Sequence, residues 1–244
     1  MTVAVATLGT LLASVSACDT DNPGPPRTGG APGPSGGLPK SPAVSEPPAT
    51  DPARIPGVGD RLFRQIPADS RQVVAVYGEG ADSADSTVVL YTRQGAEWRP
   101  VGSWPAHNGR NGWTADHHMG DERSPVGVFT LSDAGGVLSD PGTKLPYDQD
   151  EDAYSPPFEG EEHQHDFDYV IAIDYNRARG TAPDDPTRPE GDDKGGSIWL
   201  HVDHDSGTSA CISVSAEAMR FLLRRLDPAG HPVMVMGDRD DLRA

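Results

Sequence analysis

A histidine and a cysteine lie ten positions apart in the segment 197–214, and side chains of these types can perform nucleophilic chemistry together. His201 ends the apolar run SIWLHV, and Cys211 follows the small-residue stretch GTSA. A thiol with a free pKa of about 8.5 is mostly protonated at neutral pH, so a nucleophilic cysteine needs a base or a positive environment. We predict Cys211 as the nucleophile and His201 as its base. By spacing alone, an inert buried cysteine explains the pair equally well.

The residues just before the thiol have the properties of an oxyanion site. Gly207, Thr208, Ser209 and Ala210 are small, so the chain can turn tightly there and present backbone N–H groups near the sulfur. The two hydroxyl groups in this stretch could also orient the imidazole.

The elements that must position these residues are predicted to be mainly strands. Runs rich in β-branched residues indicate strands at 72–77, 86–92, 97–104, 127–131, 169–175, 197–202 and 233–236. One segment has a helical period, with apolar residues at 219, 222, 223 and 226, Ser215 as N-cap and Asp227-Pro228 as its end. We therefore expect a mainly β domain, a sandwich or partial barrel with one helix after the cysteine loop.

Three further stretches, GDERSPVGVFTL, DYVIAIDYNR and GGSIWLH, precede or include His201. The first is similar to G-D-x-x-T-P-x-G-x-F-x-L, a signature of the YkuD-type catalytic domain of L,D-transpeptidases, and the other two resemble that family's stretch before its histidine. The resemblance covers roughly 106–237 and is strongest to an actinobacterial branch with a short loop between histidine and cysteine.

This resemblance implies a YkuD-like β-rich fold and an enzyme that acts on peptidoglycan stem peptides. Cys211 would attack the amide before the terminal D-alanine, and an amine of a neighbouring stem would resolve the acyl-enzyme into a crosslink. His201 would be the general base, while Thr208, Ser209 and Ala210 would shape the oxyanion site. No cofactor is expected, and a monomer is expected.

The chain departs from the family pattern beside the nucleophile. The commonest family form is Ser-His-Gly-Cys, whereas this chain has Thr-Ser-Ala-Cys, so Ala210 adds a methyl group where backbone should approach substrate. Two rivals follow: an L,D-carboxypeptidase that uses water as acceptor, and a catalytically weak lipoprotein that binds the cell wall.

Other residues suggest further sites. Trp113 and His118 could line a substrate groove, and Tyr175 and Asn176 match a family position after a strand. Zinc-type ligands occur in two groups, 201–205 and 163–168, which contain His201, Asp203, His204, Asp205, His163, His165, Asp166 and Asp168. A solvated acidic loop is the commoner explanation for the second group, and we predict no metal.

The N-terminus indicates export and anchoring. An apolar stretch at 3–15 precedes Val15-Ser16-Ala17-Cys18, which resembles a lipoprotein lipobox, although no basic residue precedes it. We predict a signal peptide at 1–18 with lipidation at Cys18, a disordered Pro/Gly-rich linker at 19–66, and the catalytic domain at 67–244. The protein would then lie on the outer face of the cell membrane.

The formal net charge of −17 bears on whether the protein binds nucleic acid. Contact with nucleic-acid phosphates needs a basic face, and none is visible in the sequence. Nucleic-acid binding is therefore not expected.

Overall fold

A computed structural model describes residues 51–156 and 161–244. Three α-helices occur in this part of the chain, α1 (Asp60–Phe63), α2 (Ala216–Arg225) and α3 (Arg239–Arg243). The strands are β1 (Gln72–Gly78), β2 (Asp85–Gln94), β3 (Glu97–His107), β4 (Trp113–Thr114), β5 (Ser124–Pro125), β6 (Gly127–Thr130), β7 (Ala134–Gly136), β8 (Tyr147–Gln149), β9 (Val170–Ala172), β10 (Trp199–Val202), β11 (Ile212–Val214) and β12 (Val233–Asp238).

Ten of these strands form one mixed sheet in the order β6-β12-β1-β2-β3-β11-β10-β9-β7-β8, and β4 pairs with β5 separately. The pairs β1–β12, β10–β11 and β7–β8 are parallel, and the other neighbours in the large sheet are antiparallel. The predicted mainly β fold is confirmed.

The two faces of the sheet bury different apolar groups, as the period of two in a strand requires. Along β1, Val74 and Val76 point into the larger core, while Val73 and Ala75 point into a second core on the opposite face. Because both faces are covered, the central strands read as nearly continuous apolar runs rather than alternating ones.

Helix α2 closes the larger core and confirms the predicted helix. Ser215 caps it, since its hydroxyl accepts a hydrogen bond from the Ala218 N–H at 3.3 Å. Met219, Leu222 and Leu223 are fully buried on one side. The expectation of a single helix is wrong, because α1 and α3 are also present, each too short to show a helical period. No helix in the described ranges is long and apolar enough to cross a lipid bilayer.

The N-terminal boundary of the domain lies earlier than predicted. Residues 51–66 were expected to be linker, but Ile55, Val58 and Leu62 are buried at 1%, 5% and 1% exposure in the second core. Three apolar side chains among prolines and glycines are enough to dock this segment, although they show no strong pattern. The rest of the predicted linker, 19–50, and the predicted signal peptide lie outside the described residues.

The strand predictions missed the shortest elements. The predicted strand at 169–175 is confirmed only over β9, and β4, β5, β7, β8 and β11 were not predicted. Each of these five has two or three residues, too few to display a periodicity.

A buried ion network holds the loop that follows β9. The Arg177 guanidinium donates to Asp174 Oδ1 at 2.5 Å and to Asp133 Oδ2 at 3.1 Å. All three side chains are at most 5% exposed. The Ser132 hydroxyl lies within hydrogen-bonding distance of both carboxylates and can donate its one proton to either. This network fixes the chain that leads from β9 toward β10.

Candidate active site

A short crossover between β10 and β11 brings the predicted nucleophile beside the predicted base. The strands are parallel neighbours with Leu200 opposite Ile212 and His201 opposite Ser213. The connecting chain must therefore return along the full length of β10, and it delivers Cys211 next to Trp199. By this register His201 and Cys211 lie on the same face of the sheet, with Cys211 immediately before β11.

The thiol of Cys211 lies against the backbone at the start of β10. The Trp199 N–H donates to Sγ at 3.4 Å, and Sγ donates to the Ser197 carbonyl at 3.7 Å. Burial raises the pKa of Cys211 to about 11, and the Trp199 N–H opposes this rise only in part. The resting sulfur is thus a neutral thiol at physiological pH.

The imidazole of His201 is held as a neutral base. Nδ1 lies 2.8 Å from the Val202 carbonyl oxygen, which can only accept, so Nδ1 carries the proton and Nε2 keeps its lone pair. Burial lowers the pKa of His201 below its ordinary value, despite the opposing hydrogen bond to Val202. The Phe167 ring contacts the imidazole edge-on, with 5.3 Å between ring centroids. A base with a free lone pair therefore lies on the same face as a protonated thiol.

Two hydroxyl groups fix the peptide units on either side of Cys211. The Ser124 hydroxyl donates to the Ala210 carbonyl at 2.6 Å, and the Thr208 hydroxyl donates to the Cys211 carbonyl at 2.7 Å. In a trans peptide the N–H points opposite to the C=O. The bond from Ser124 therefore turns the Cys211 N–H away from Ser124 and sets the orientation of a potential oxyanion donor.

The loop before Cys211 is itself fastened to the end of β3. The Thr208 N–H donates to the Asn108 carbonyl at 2.9 Å, and the Arg110 N–H donates to the Thr208 carbonyl at 2.8 Å. These bonds fix the loop through its backbone, so the position of Thr208 does not depend on its side chain alone.

His201, Thr208, Ser209 and Cys211 line one cavity of about 430 Å³. That volume suits a peptide segment or a drug-sized molecule. Arg110 also lines this cavity, and its guanidinium is permanently charged. The guanidinium is half exposed and lies 3.5 Å from the Glu122 carboxylate. Ala210 does not line it, since its methyl group is buried in the larger core.

The four residues predicted to bind substrate do not line this cavity. Trp113 is 4% exposed and belongs to the larger core, and His118 is exposed elsewhere, with Nδ1 2.9 Å from the Asp116 carbonyl. The Tyr175 hydroxyl lies 3.1 Å from the His117 carbonyl and 3.2 Å from the Lys194 carbonyl and can donate its one proton to either. Their side chains have the chemistry of a binding site, but the fold uses Trp113 and Tyr175 for packing.

Asn176 has a positioning role instead. It adopts a left-handed backbone with φ of 44° and donates its side-chain N–H groups to the Gly191 and Gly195 carbonyls at 2.9 and 2.6 Å. Gly195 begins the turn that enters β10, so Asn176 acts on the strand that carries His201 without contacting the cavity.

Ser124 and Arg110 are functional candidates that the sequence interpretation missed. Ser124 occupies the Thr position of the G-D-x-x-T-P signature, and its hydroxyl was available as a signal, but the signature was used only to recognise the family resemblance. Arg110 stands in a loop with no motif, so its place in the cavity was not accessible from the sequence.

Of the zinc-type ligands at 163–168 and 201–205, three come together in the structure and the others do not. His163, Asp166 and His204 converge, with potential ligand atoms within 4.8 Å of one another. His165 is exposed and pairs with Asp168 at 3.1 Å. The remaining members lie elsewhere: Asp203 accepts from His107 and Ser213, Asp205 lies in an exposed turn, and His201 lines the cavity together with Cys211.

Comparisons with known proteins give a family match. The family described as YkuD, L,D-transpeptidase catalytic domain, matches residues 81–235, more than half of the chain. Comparison with curated protein sequences gives no match.

Two solved structures are similar at low identity. Bd1075 of Bdellovibrio bacteriovorus is 19% identical with a TM-score of 0.38, over 68% of this chain and 47% of that one. Pgp2 of Campylobacter jejuni, described as a helical cell shape determining protein, is 15% identical with a TM-score of 0.39, over 69% and 48%. The chain thus spans about half the length of each.

Proposed function

Because this chain belongs to the family of L,D-transpeptidase catalytic domains, we propose that it is a cysteine L,D-transpeptidase that crosslinks peptidoglycan stem peptides. The observation that carries this proposal is that His201, in β10, and Cys211, immediately before the neighbouring strand β11, line one cavity. The neutral state of both groups supports a general-base mechanism rather than a preformed ion pair.

In the first half-reaction the thiol attacks the stem-peptide carbonyl. His201 Nε2 accepts the proton from Sγ as the Sγ–C bond forms, and the carbonyl oxygen becomes an oxyanion. The Cys211 N–H, oriented through Ser124, is our candidate donor to that oxyanion. Collapse expels D-alanine, whose amine takes the proton from Nε2, and leaves a thioester on Cys211.

In the second half-reaction an amine of a neighbouring stem attacks the thioester. Its proton passes to His201 Nε2, the C–S bond breaks, and the thiolate regains the proton from the imidazolium. An amide crosslink and the resting thiol result. Water in place of the amine would give hydrolysis by the same steps, so the acceptor decides between transfer and carboxypeptidase activity.

Arg110 supports recognition of an anionic substrate. Among the described residues that line the cavity, Arg110 is the one with a permanent positive charge, in a chain whose formal net charge is −17. Stem peptides carry carboxylates, and guanidinium binds carboxylate through two parallel hydrogen bonds. We assign Arg110 to a stem carboxylate, with Glu122 as its partner in the free enzyme.

The test is turnover of a tetrapeptide stem with and without an acceptor amine, followed by mass spectrometry. We expect a crosslinked product and released D-alanine, with no turnover in Cys211→Ala and a loss of about 10²–10⁴-fold in His201→Ala. His118→Ala is the matched control, because His118 is exposed outside the cavity. D-alanine release alone would favour hydrolysis, and full activity of Cys211→Ala would refute the mechanism.

Carbapenem acylation gives a second readout without a peptide acceptor. Intact mass should rise by one adduct in the native chain and not in Cys211→Ala. An adduct retained in that variant would remove Cys211 as nucleophile.

We also propose that the chain is exported and anchored to the outer face of the cell membrane through Cys18. The support is the lipobox-like sequence ending at Cys18 and the Pro/Gly-rich stretch after it. Metabolic labelling with a fatty-acid analogue should mark the native protein and not Cys18→Ala, which should also leave the membrane fraction. Labelling of Cys18→Ala would refute the anchor.

A further inference from the structure

His163, Asp166 and His204 form a group of zinc-type ligands on the wall of the cavity. His163 Nδ1 and His204 Nδ1 lie 3.0 and 3.1 Å from the same atom, Asp166 Oδ2. The side chains of Asp166 and His204 are 3% and 7% exposed. Two imidazoles from different segments thus converge on one oxygen of a carboxylate that is almost fully buried, although His163 itself is 23% exposed.

Hydrogen bonding alone explains this arrangement poorly. His204 Nδ1 makes no hydrogen bond with a described residue, despite its short distance to the carboxylate. The other oxygen, Asp166 Oδ1, is buried and has no hydrogen-bond partner among the described residues. An unsatisfied buried carboxylate oxygen costs folding free energy, so a native protein needs a reason to keep one. Both orphaned atoms belong to the convergent group.

The spacing and chemistry of the group fit a transition-metal ion. Ligands about 2.0–2.2 Å from a tetrahedral zinc stand roughly 3.3–3.5 Å from one another, which small side-chain shifts from the present distances would give. Imidazole nitrogen and carboxylate oxygen are ligands that zinc accepts, whereas calcium and magnesium prefer oxygen alone. Three protein ligands leave a fourth position open toward the cavity.

We propose that His163, Asp166 and His204 bind one zinc ion or a similar divalent transition metal. The site is separate from the Cys211 nucleophile and does not depend on the transpeptidase proposal. It joins the loop at 161–168 to the chain just after β10. The Val202 N–H donates to the Asp166 carbonyl at 3.0 Å, and the Val202 carbonyl is the partner of His201 Nδ1. Metal binding would therefore hold the end of β10 in place.

The experiment measures zinc binding to the full chain, purified without a polyhistidine tag and stripped with a chelator. Competition against a chromophoric zinc chelator gives affinity and stoichiometry, and cobalt substitution gives a visible spectrum. We expect one equivalent, an affinity at least 100-fold weaker in Asp166→Asn and His204→Gln, and a zinc-dependent rise in the unfolding temperature that both variants lose.

Two control variants make the assignment specific. His165→Gln removes an exposed histidine of the same loop and should bind zinc as the native chain does. Cys211→Ala should also bind normally, and the cobalt spectrum should lack a thiolate charge-transfer band. Circular dichroism checks that each variant is folded, and His163→Gln replaces any that is not.

Three results would overturn the proposal. The first is no zinc bound at micromolar free metal, and the second is unchanged affinity in folded Asp166→Asn and His204→Gln. The third is loss of binding in Cys211→Ala together with a thiolate band, which would place the ion on the nucleophile. None of these results bears on acyl transfer, which the stem-peptide assay measures independently.

Discussion

Ser124→Ala tests whether a hydroxyl 86 positions before Ala210 orients the peptide that carries the Cys211 N–H. The hydroxyl accepts from the Gly109 N–H at 2.9 Å and donates to the Ala210 carbonyl at 2.6 Å. Its removal leaves a buried donor and a buried acceptor without their partner. At about 1–3 kcal/mol for each unsatisfied buried group, we expect the free energy of unfolding to fall by about 2–6 kcal/mol.

The effect on turnover should be larger than the stability loss explains. Complete loss of one oxyanion donor costs about 10²–10³ in kcat, but Ser124→Ala keeps the N–H and only frees its peptide to rotate, so we expect about a 10- to 30-fold loss. KM should change little, because Ser124 does not line the cavity. Ser124→Thr keeps the hydroxyl and should restore most of the rate.

The assay is steady-state turnover of a tetrapeptide stem, together with the rate of carbapenem acylation, at a temperature where every variant is fully folded. Ser70→Ala is the matched control: Ser70 is fully buried and its hydroxyl donates to the His231 carbonyl at 2.8 Å. It should lose comparable stability and keep native kcat. If Ser124→Ala also keeps native kcat, the orientation of the Cys211 N–H does not depend on this hydroxyl.

Three further predictions concern the thiol, the cavity cation and the buried ion network. With its pKa raised to about 11, the Cys211 thiol of the free enzyme should react with iodoacetamide about tenfold faster per pH unit from pH 7 to 10; a plateau below pH 8 would indicate a preformed thiolate. Arg110→Gln should raise KM for the stem roughly tenfold, and amidation of the stem carboxylate should then no longer change the KM of this variant. If amidation changes KM equally in the native protein and in Arg110→Gln, the contact between Arg110 and the carboxylate is refuted. Arg177→Met should lower the free energy of unfolding in urea by about 3–5 kcal/mol, since two buried carboxylates lose their cation. Arg179→Met, at an exposed side chain 3.7 Å from Asp174, should cost under about 1 kcal/mol, and equal losses would contradict the network.

The central strands and α2 were predictable because their signals are local. The apolar runs of β1 and β10 and the spacing of Met219, Leu222 and Leu223 each occupy one continuous stretch. The His201 and Cys211 assignment needed only the short crossover and the family resemblance. The structure places both residues at one cavity, and their catalytic roles stay a prediction.

The rest of the site depends on contacts between distant segments, which spacing does not reveal. Ser124 reaches the cysteine loop from another strand pair, and Arg110 reaches the cavity through backbone bonds to Thr208. The zinc-type ligands also could not be grouped correctly from their spacing in the sequence. The sequence grouped His204 with His201 and Asp166 with His165, whereas the fold brings His204 to Asp166.

Ala210 shows how the fold changes the meaning of a departure from the family pattern. In sequence its methyl group stands beside the nucleophile, where it was expected to hinder the approach of backbone to substrate. In the structure the side chain is 6% exposed and buried in the larger core, and its backbone is not in the left-handed region that requires glycine. The Ala210 carbonyl is engaged by Ser124 on the side away from the Cys211 N–H. The methyl group therefore adds apolar packing beneath the cysteine loop without occupying the cavity, so the substitution gives no structural reason to expect a weakened enzyme.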